Sequence, residues 1–306
     1  GLKNGRDISP NAYKRIKTLL ESVDIIHMHT FNPLVAYAAI RTRKPIIYTI
    51  HGNFGFNRTL SSLEKLNKRI LRYFLNKHVN YITFNSDFAR DQAIRFYGIN
   101  DIPQQVIENG VLFQEAQNKE VDKETREFIN NKKVIGTASR FVEIKRINEL
   151  IYAFSIISEH HSDAVMVLIG DGKLKDEYMA QAADLGILEK VHFTGFKDNV
   201  TTYQSILDIC VFPSINEAFG LVAIETLSLG KPTIVFEDGG GVADIIRKVR
   251  PEDVVKDTKE LASRIGFHLD NKADNGSANE LRSFAQSYDI GNMSNKLHKL
   301  YSSLLA

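Results

Sequence analysis

Two carboxylates stand eight positions apart in the stretch SINEAFGLVAIETLSLGKP (214–232), and the second of them needs a polar partner. Glu225 has apolar neighbours on both sides in a segment with helical spacing. An ionised carboxylate is costly to bury unless it is hydrogen-bonded. A vicinal diol offers two O–H donors to one carboxylate, so we predict that Glu225 binds a nucleotide ribose. The alternative is an Arg or Lys partner elsewhere in the chain.

The start of the same helix, predicted over 219–229, is suited to an anion. Gly220 lets the backbone approach a ligand closely, and the amides of Gly220 and Leu221 carry the positive end of the helix dipole. A phosphate is the simplest anion to bind there. Glu217 precedes this helix and has two interpretations, either ligand binding or a capping box with Ser214.

A second loop, ASRFVEIKR (138–146), places two cations after a predicted strand. Arg140 ends the strand and Lys145 precedes a helix. Together they would neutralise a diphosphate, with Arg giving bidentate geometry and Lys a compact charge. Taken singly, each is equally consistent with a solvated surface charge.

Histidines mark the strand ends nearer the N-terminus. His51 is followed by Gly52, so its imidazole is predicted at the end of a strand beside a flexible loop. His27 and His29 alternate along VDIIHMH and are interpreted as core or edge residues. The turn GDG at 170–172 is a weak signal. The histidine and cysteine spacing matches no zinc or iron site, and no phosphate-binding G-x-x-x-x-G-K-[ST] loop occurs.

Short β-branched runs alternate with helical patterns, as parallel α/β units require. The first set of predicted strands is VDIIHMH (23–29), PIIYTIH (45–51), NYITFNS (80–86) and QQVIENG (104–110). Helices are predicted between them at 32–43, 60–78 and 86–98. These elements predict one Rossmann-like unit.

The alternation restarts after a charged linker near 112–132. The second set of predicted strands is 134–140, 164–170, 190–196, 206–214 and 231–237. The further predicted helices are 146–160, 174–185, 219–229, 257–271 and 277–305. We therefore predict two Rossmann-like domains, 1–115 and 116–306, that face each other across a cleft, with the last helix packing back on the first domain. Ligands of such sheets bind at the carboxyl ends of the strands.

Composition narrows the class of protein. The 306 residues suffice for two domains, and the lone Cys210 lies in an apolar run, which favours a buried residue in a reducing compartment. Apolar runs are too short to span a membrane, and the N-terminus lacks a signal-peptide pattern. We expect a cytoplasmic protein, at most peripheral on the inner face of the membrane.

Charge is divided unevenly along the chain. Residues 1–100 hold 16 Lys and Arg against 6 Asp and Glu, whereas the remainder holds 23 against 31. The predicted helix 60–78 is basic, with Leu63, Leu66, Ile70 and Phe74 on one stripe. Such a helix can lie on an anionic membrane, although an ordinary solvated helix explains the pattern equally well. Nucleic acid is disfavoured, because no readout module accompanies the charge.

These residues together resemble the retaining, nucleotide-sugar-dependent glycosyltransferases of family 4 (glycosyl transferases group 1), which have the GT-B fold. The E-x7-E pattern of Glu217 and Glu225, the S-R-x-x-x-x-K element with Arg140 and Lys145, and the GDG and TGF turns carry the likeness. Weaker matches are VDIIHMH, TIHG and ENGV. The likeness extends from about residue 20 to the C-terminus.

The resemblance implies roles for these residues. Arg140 and Lys145 would hold the donor diphosphate, the amides at Gly220 and Leu221 its distal phosphate, and Glu225 the ribose. The remaining members of the implied set are Glu217 and His51 at the donor sugar, Phe196 at the nucleobase, and Phe219 and Gly52 in the donor-binding shell. No metal or cofactor is implied, and a UDP-sugar is favoured over a GDP-sugar.

One departure from the family pattern concerns the N-terminus. Family members have a Gly-rich loop and further strand–helix units before the counterpart of VDIIHMH, whereas about twenty residues precede it here. The first domain is therefore expected to be truncated, with self-association or a partner covering an exposed sheet edge.

The predicted function is transfer of a sugar, with retention, from a nucleoside diphosphate to a saccharide or lipid-linked saccharide, in envelope polysaccharide or glycan synthesis. It corresponds to a hexosyltransferase-type enzyme of class EC 2.4. A nucleotide-sugar-binding or regulatory subunit without turnover stays open because the Gly-rich loop is missing. A nucleotide-sugar epimerase is a further alternative, disfavoured by the E-x7-E pattern.

Overall fold

A computed structural model of the protein describes residues 9–52, 60–99, 101–113, 120–271 and 275–306. The chain forms two compact units, one of Gly1–Asn109 with Gly291–Ala306 and the other of Gly110–Ile290. The α/β class predicted above is confirmed, with one parallel sheet in each unit. No helix within the described ranges is long and apolar enough to cross a membrane.

The first unit is a four-stranded parallel sheet of order β1-β2-β3-β4. Its elements in chain order are α1 (Pro10–Glu21), β1 (Ile26–Met28), α2 (Pro33–Thr42), β2 (Ile46–Ile50), α3 (Ser62–His78), β3 (Tyr81–Phe84), α4 (Asp87–Tyr97) and β4 (Gln104–Val106). Local sequence sets the helix starts: Asn32 caps α2, and Ser61 forms a reciprocal capping box with Glu64 on α3. In this sheet β1 is an edge strand, and the predicted self-association or covering partner stays a prediction.

The second unit is a six-stranded parallel sheet of order β10-β9-β8-β5-β6-β7. Its strands are β5 (Lys133–Ala138), β6 (Ala164–Ile169), β7 (Val191–Gly195), β8 (Ile209–Phe212), β9 (Thr233–Phe236) and β10 (Val254–Val255). Its helices are α5 (Lys123–Phe128), α6 (Ile147–Ser158), α7 (Lys175–Asp184), α8 (Val200–Ser205), α9 (Leu221–Ser228), α10 (Gly241–Val249), α11 (Thr258–Asp270) and α12 (Asn275–Gln286). Numbered within the unit, this is the 3-2-1-4-5-6 order of a Rossmann fold.

Apolar cores cover both faces of the second sheet. All six residues of β6 are buried, as expected of a parallel strand with helices on each side. One core contains Phe141 and Phe154, and the other contains Phe212 and Cys210. Burial raises the pKa of the Cys210 thiol to about 12, which agrees with its interpretation as a buried apolar residue.

The predicted helix 277–305 is wrong in one respect, because the chain forms two helices there. After α12 three residues leave the helical path, and α13 (Ile290–Leu305) begins after them. In between, Val111 donates to the Tyr288 carbonyl and accepts from the Ile290 amide. This pairing replaces the helical hydrogen bonds. Leu300 of α13 packs with Ile47 and Ile107 in the first unit.

Candidate functional site

The candidate site lies at the carboxyl ends of β5 and β8, where the strand order of the second unit reverses. The two strands are neighbours, with Ile135 opposite Ile209 and Gly136 opposite Cys210. Parallel sheets of this order bind ligands in the crevice at such a reversal. The loops that follow these strands carry Arg140 and Lys145 after β5 and Glu217 after β8.

The structure brings Lys145 and Glu217 together. The Lys145 ammonium donates to the Glu217 carboxylate in a short ion pair, with the side chains 14% and 29% exposed. The Ile215 amide also donates to the Ile144 carbonyl at 2.9 Å, so the two loops are joined through their backbones. The capping-box interpretation of Glu217 is wrong, because α9 begins at Leu221 after Gly220 and no side chain caps it.

A third loop, after β9, fixes the conformation of the Glu217 segment. The Glu217 amide donates to the Gly239 carbonyl at 2.9 Å, and the Gly241 amide donates to the Glu217 carbonyl at 2.7 Å. A Cβ on Gly241 would lie 2.4 Å from the Ala218 carbonyl oxygen. Only glycine therefore allows the start of α10 to approach so closely.

Arg146, which the sequence patterns did not single out, clamps two of these loops. Its Nε donates to the Pro213 carbonyl at 2.8 Å, and its Nη1 donates to Asp238 Oδ2 at 2.9 Å. The guanidinium also lies over the Phe236 ring, 4.7 Å from the centroid. Arg146 thus supports the segment that carries Glu217 rather than offering a free charge.

The start of α9 has the geometry that an anion site needs. Gly220 has a φ of 112°, and a Cβ there would lie 2.7 Å from Val242 Cγ2. The first amides of a helix lack intrahelical acceptors and are available to a ligand. Phe219 was predicted in the donor-binding shell, but its side chain is 3% exposed and packs against Tyr288. A ligand can reach Phe219 only through its main chain.

Glu225 lies on α9, and its carboxylate has no partner in the part of the chain that the structure describes. Ser228 Oγ donates to the Glu225 backbone carbonyl at 2.6 Å and not to the carboxylate. Burial raises the pKa of the Glu225 carboxyl. The alternative of an Arg or Lys partner thus finds no support among the described residues. The carboxylate is partly desolvated and uncompensated.

Arg140 is exposed and makes no ion pair with any described residue. The GDG turn fixes the backbone next to Arg140, because the amide of the following residue, Phe141, donates to the Asp171 carbonyl at 2.9 Å. A Cβ on Gly172 would lie 2.5 Å from the Phe141 carbonyl oxygen. The role of the turn seen here is therefore structural, since it packs against the loop that presents Arg140.

Phe196 follows β7 and is 79% exposed. Its neighbour Lys197 is fixed by an ion pair with Asp122 at 2.9 Å and lies over the Tyr203 ring. Hydrogen bonds, the one from Tyr203 foremost, hold the pKa of Asp122 well below its usual range, although burial opposes them. An exposed ring on an anchored loop is suited to stacking on a planar ligand.

His51 and Gly52 belong to the first unit, directly after β2. His51 Nε2 lies 3.0 Å from His29 Nδ1, and the Asn85 amide donates to the His51 carbonyl at 3.2 Å. Burial, followed by His29, lowers the pKa of His51. The sequence placed His27 and His29 in the core or at an edge and did not predict this pairing.

The second unit therefore offers an exposed guanidinium, an ammonium shared with a carboxylate, helix amides and an uncompensated carboxylate on one Rossmann-order sheet. This combination and the two parallel sheets are those of the GT-B class. A family model described as "Glycosyl transferases group 1" matches residues 118–288, and one described as "Glycosyltransferase Family 4" matches residues 2–113. The chain belongs to this family of glycosyltransferases.

Individual proteins resemble the chain over most of its length. An uncharacterized glycosyltransferase of Methanocaldococcus jannaschii is 31% identical over 248 residues, 78% of this chain and 64% of that protein. The capsular polysaccharide biosynthesis glycosyltransferase CapM of Staphylococcus aureus is 26% identical over 286 residues, 85% of this chain and 72% of that one. The crystal structure of Anabaena HepE in complex with UDP and glucose matches with a TM-score of 0.77 at 20% identity, covering 96% of this chain and 82% of HepE. The chain spans 58% to 64% of the length of three curated relatives.

Proposed function

We propose that the protein transfers a sugar, with retention, from a nucleoside diphosphate-sugar to a saccharide or lipid-linked saccharide, in envelope polysaccharide or glycan synthesis. The observation that carries the proposal is the uncompensated carboxylate of Glu225 on α9. A ribose diol supplies the two donors that it lacks. Anabaena HepE has been crystallised with UDP and with UDP-glucose, which supports a UDP-sugar as the donor.

In this proposal Arg140 and Lys145 neutralise the donor diphosphate, and the amides at Gly220 and Leu221 bind its distal phosphate. Lys145 has three N–H donors, so it can contact phosphate while it remains bonded to Glu217. Catalysis is then mainly stabilisation of the charge that develops on the departing diphosphate. In this proposal the two cations and the helix amides oppose that charge, and the prediction is that no metal is required.

Glu217 would accept hydrogen bonds from hydroxyls of the donor sugar. Its side chain is 29% exposed, so a ligand can reach it, while the ion pair with Lys145 orients the carboxylate. Phe196 would stack on the nucleobase, and His51 with Gly52 would contact the sugar from the first unit. Retention would follow if the leaving phosphate helps to deprotonate the acceptor on the same face of the sugar.

The Arg140→Ala variant tests the diphosphate role. We expect it to lose about 10- to 150-fold in affinity for UDP, the equivalent of roughly 1.5–3 kcal/mol for charge-assisted hydrogen bonds, with little change for uridine. Isothermal titration calorimetry with both ligands measures this difference. The matched control is Arg247→Ala, because Arg247 is an exposed arginine of the same unit that pairs with Asp244 on its own helix. Equal losses for UDP and uridine would remove Arg140 from the phosphate site.

Product analysis separates the enzyme from its alternatives. A transferase incubated with UDP-sugar alone releases UDP slowly and leaves the sugar configuration unchanged. An epimerase converts the donor sugar without releasing UDP. A binding or regulatory subunit does neither, although it still binds UDP.

We further propose that the protein is peripheral on the cytoplasmic face of the membrane through α3. Four apolar residues of this helix are exposed to solvent, with exposed fractions of 66% for Leu63, 52% for Leu66, 42% for Ile70 and 62% for Tyr73. These residues recur at spacings of three and four, so they form one stripe. Phe74, predicted on this stripe, is instead buried against Phe31 and Tyr48.

The charge beside this stripe favours an anionic surface. Exposed Lys65, Arg69 and Arg72 flank it, and the one acid of α3, Glu64, is bonded to the Ser61 amide in the capping box. Each basic residue near an anionic lipid surface contributes about 1 kcal/mol of attraction. The stripe and its basic flank therefore fit a bilayer that contains anionic lipid.

The double variant Leu66→Glu with Ile70→Glu tests this contact. We expect the wild type to bind phosphatidylglycerol vesicles more tightly than phosphatidylcholine vesicles. The variant should bind the anionic vesicles at least about 10-fold more weakly, because two apolar contacts are lost. Vesicle sedimentation measures both. Ile156→Glu on α6, whose side chain is 37% exposed, is the control. Binding that is unchanged in the double variant would contradict the proposal.

A further inference from the structure

Three histidines of the first unit form a row of contacting rings at the carboxyl ends of β1 and β2. His27 lies in β1, His29 follows it, and His51 follows β2. The ring centroids of His27 and His29 are 4.3 Å apart, and those of His29 and His51 are 5.2 Å apart with 24° between the planes. The middle ring, His29, therefore contacts both of the others.

His27 is the anchored end of this row. Its Nδ1 is 2.6 Å from the Tyr301 hydroxyl of α13, and its Nε2 is 2.6 Å from Thr49 Oγ1. Thr49 in turn lies 2.6 Å from Thr83 Oγ1 in the neighbouring strand. Burial, with smaller effects of His29 and His51, lowers the pKa of His27 to about 4. With both nitrogens bonded, the ring cannot rotate freely, and the lowered pKa favours its neutral form.

His51 is the other end of the row, and His29 occupies one of its nitrogens. His29 Nδ1 lies 3.0 Å from His51 Nε2. The Asn85 side chain, which is 4% exposed, donates to the His51 carbonyl and so fixes the main chain at His51. Across the described segments, no other side chain bonds to the His51 ring. His51 Nδ1 is thus the ring atom left for a ligand.

The direction of the hydrogen bond between the two rings decides what His51 can do. When His29 donates, His51 Nδ1 carries the proton and can donate to a ligand oxygen. When His51 donates, its Nδ1 has a free lone pair and accepts from a ligand hydroxyl. The lowered pKa of His51 favours its neutral imidazole. Two neutral rings can share this hydrogen bond only in these two arrangements.

We infer that His29 is a positioning residue, which fixes the tautomer and ring orientation of His51 for one hydrogen bond to a ligand hydroxyl. The supporting contacts are the stack on His27 and the bond of His27 to Tyr301. That the ligand hydroxyl belongs to a donor sugar rests on the proposed function. No group of three metal-ligating side chains suited to a metal ion occurs in the described ranges.

Two substitutions of His29 separate hydrogen bonding from stacking. His29→Asn keeps an amide atom near the position of Nδ1, whereas His29→Phe keeps a ring for stacking and removes the hydrogen bond. His160→Phe is the control, because His160 is an exposed histidine of the other unit. Thermal unfolding and circular dichroism of each variant establish that it folds.

The direct readout is the nitrogen-15 NMR spectrum of the His51 imidazole without any ligand. We expect a single dominant tautomer in the wild type and in His29→Asn, and a mixture of both tautomers in His29→Phe. The apparent pKa of His51 should also rise in His29→Phe, since the neighbouring imidazole that lowers it is gone. A His51 spectrum that is unchanged in folded His29→Phe would overturn the inference.

Enzyme kinetics then connect the inference to the proposed function without deciding it. We expect kcat/KM for the UDP-sugar to fall about 10- to 100-fold in His29→Phe and to recover largely in His29→Asn, because misplacing a ligand contact by about 1 Å costs this much. A changed tautomer with unchanged kinetics would uphold His29 as a positioning residue and would remove His51 from the donor site.

Discussion

Replacing Glu225 with glutamine is expected to weaken binding of a nucleoside diphosphate by about 10- to 150-fold, which corresponds to roughly 1.5–3 kcal/mol of charge-assisted hydrogen bonding. The reason is geometric, because a carboxylate accepts from both hydroxyls of a ribose and an amide has only one accepting oxygen. The free nucleoside should lose as much affinity as the diphosphate, in contrast to Arg140→Ala. Calorimetry with UDP and uridine measures both losses.

The same variant should be more stable than the wild type when no ligand is bound. Burial raises the pKa of the Glu225 carboxyl, so the ionised form destabilises the folded protein above that pKa. As the pH falls through the raised value, the wild-type carboxyl takes up a proton and the penalty disappears. The melting temperature of Glu225→Gln should therefore exceed that of the wild type at pH 8, and the two should converge in acid.

The control for both effects is Glu189→Gln, since Glu189 is an exposed glutamate of the same unit. It should change neither ligand affinity nor the pH dependence of the melting temperature. Weaker binding together with lower stability of Glu225→Gln at pH 8 would instead mean that Glu225 has a structural partner. The ribose role would then lose its support.

The largest expected effect on stability belongs to Asp253, far along the chain from the candidate site. Its carboxylate is 1% exposed and lies 2.5 Å from Arg264 Nε and 2.7 Å from His268 Nε2. Asp253→Asn removes the buried charge and leaves the Arg264 guanidinium, 17% exposed, with only the half-exposed Glu252 as a counter-ion. We expect a loss of about 3–5 kcal/mol in the free energy of unfolding, as for other broken buried ion pairs.

Urea unfolding of the wild type and of Asp253→Asn measures this loss. Glu252→Gln is the matched control, because Glu252 is half exposed and lies 3.7 Å from the same arginine, and exposed pairs contribute about 0–1 kcal/mol. If both variants lost the same small amount, the buried cluster would have no special part in stability.

The principal site residues could be predicted from the sequence because each is tied to a local pattern. Apolar runs locate β5 and β8, and Arg140, Lys145 and Glu217 follow directly from the ends of those strands. The carboxylate of Glu225 stood out because its neighbours are apolar. These signals depend only on residues close together in the chain.

Contacts between distant segments could not be predicted in this way. Lys145 and Glu217 are 72 positions apart, and the pair forms only because the strand order places β5 beside β8. The same limit applies to the link between His27 and Tyr301, 274 positions apart. The family resemblance placed Lys145 and Glu217 in one site, but no pattern in the sequence predicted their ion pair or the link between His27 and Tyr301.

Packing also overrode local propensity. No helix was predicted at α10, because the run Gly239–Gly241 precedes it and glycine is a poor helix former. The structure requires glycine at position 241, since a Cβ there would collide with Ala218. The break between α12 and α13 was missed for a similar reason. There, backbone bonds to Val111 replace helical ones, and they are invisible in a single sequence.

Calorimetric titration of the wild type and Glu225→Gln with UDP shows whether the second unit binds a nucleoside diphosphate at the carboxyl ends of β5 and β8. The titration is made first with EDTA and then with magnesium, and GDP, ADP, CMP and dTDP are run beside UDP. UDP is expected to bind the wild type in EDTA and to bind the variant at least about 10-fold more weakly. Failure of every nucleotide to bind the wild type, or equal affinity of UDP for both proteins, would contradict the proposed site.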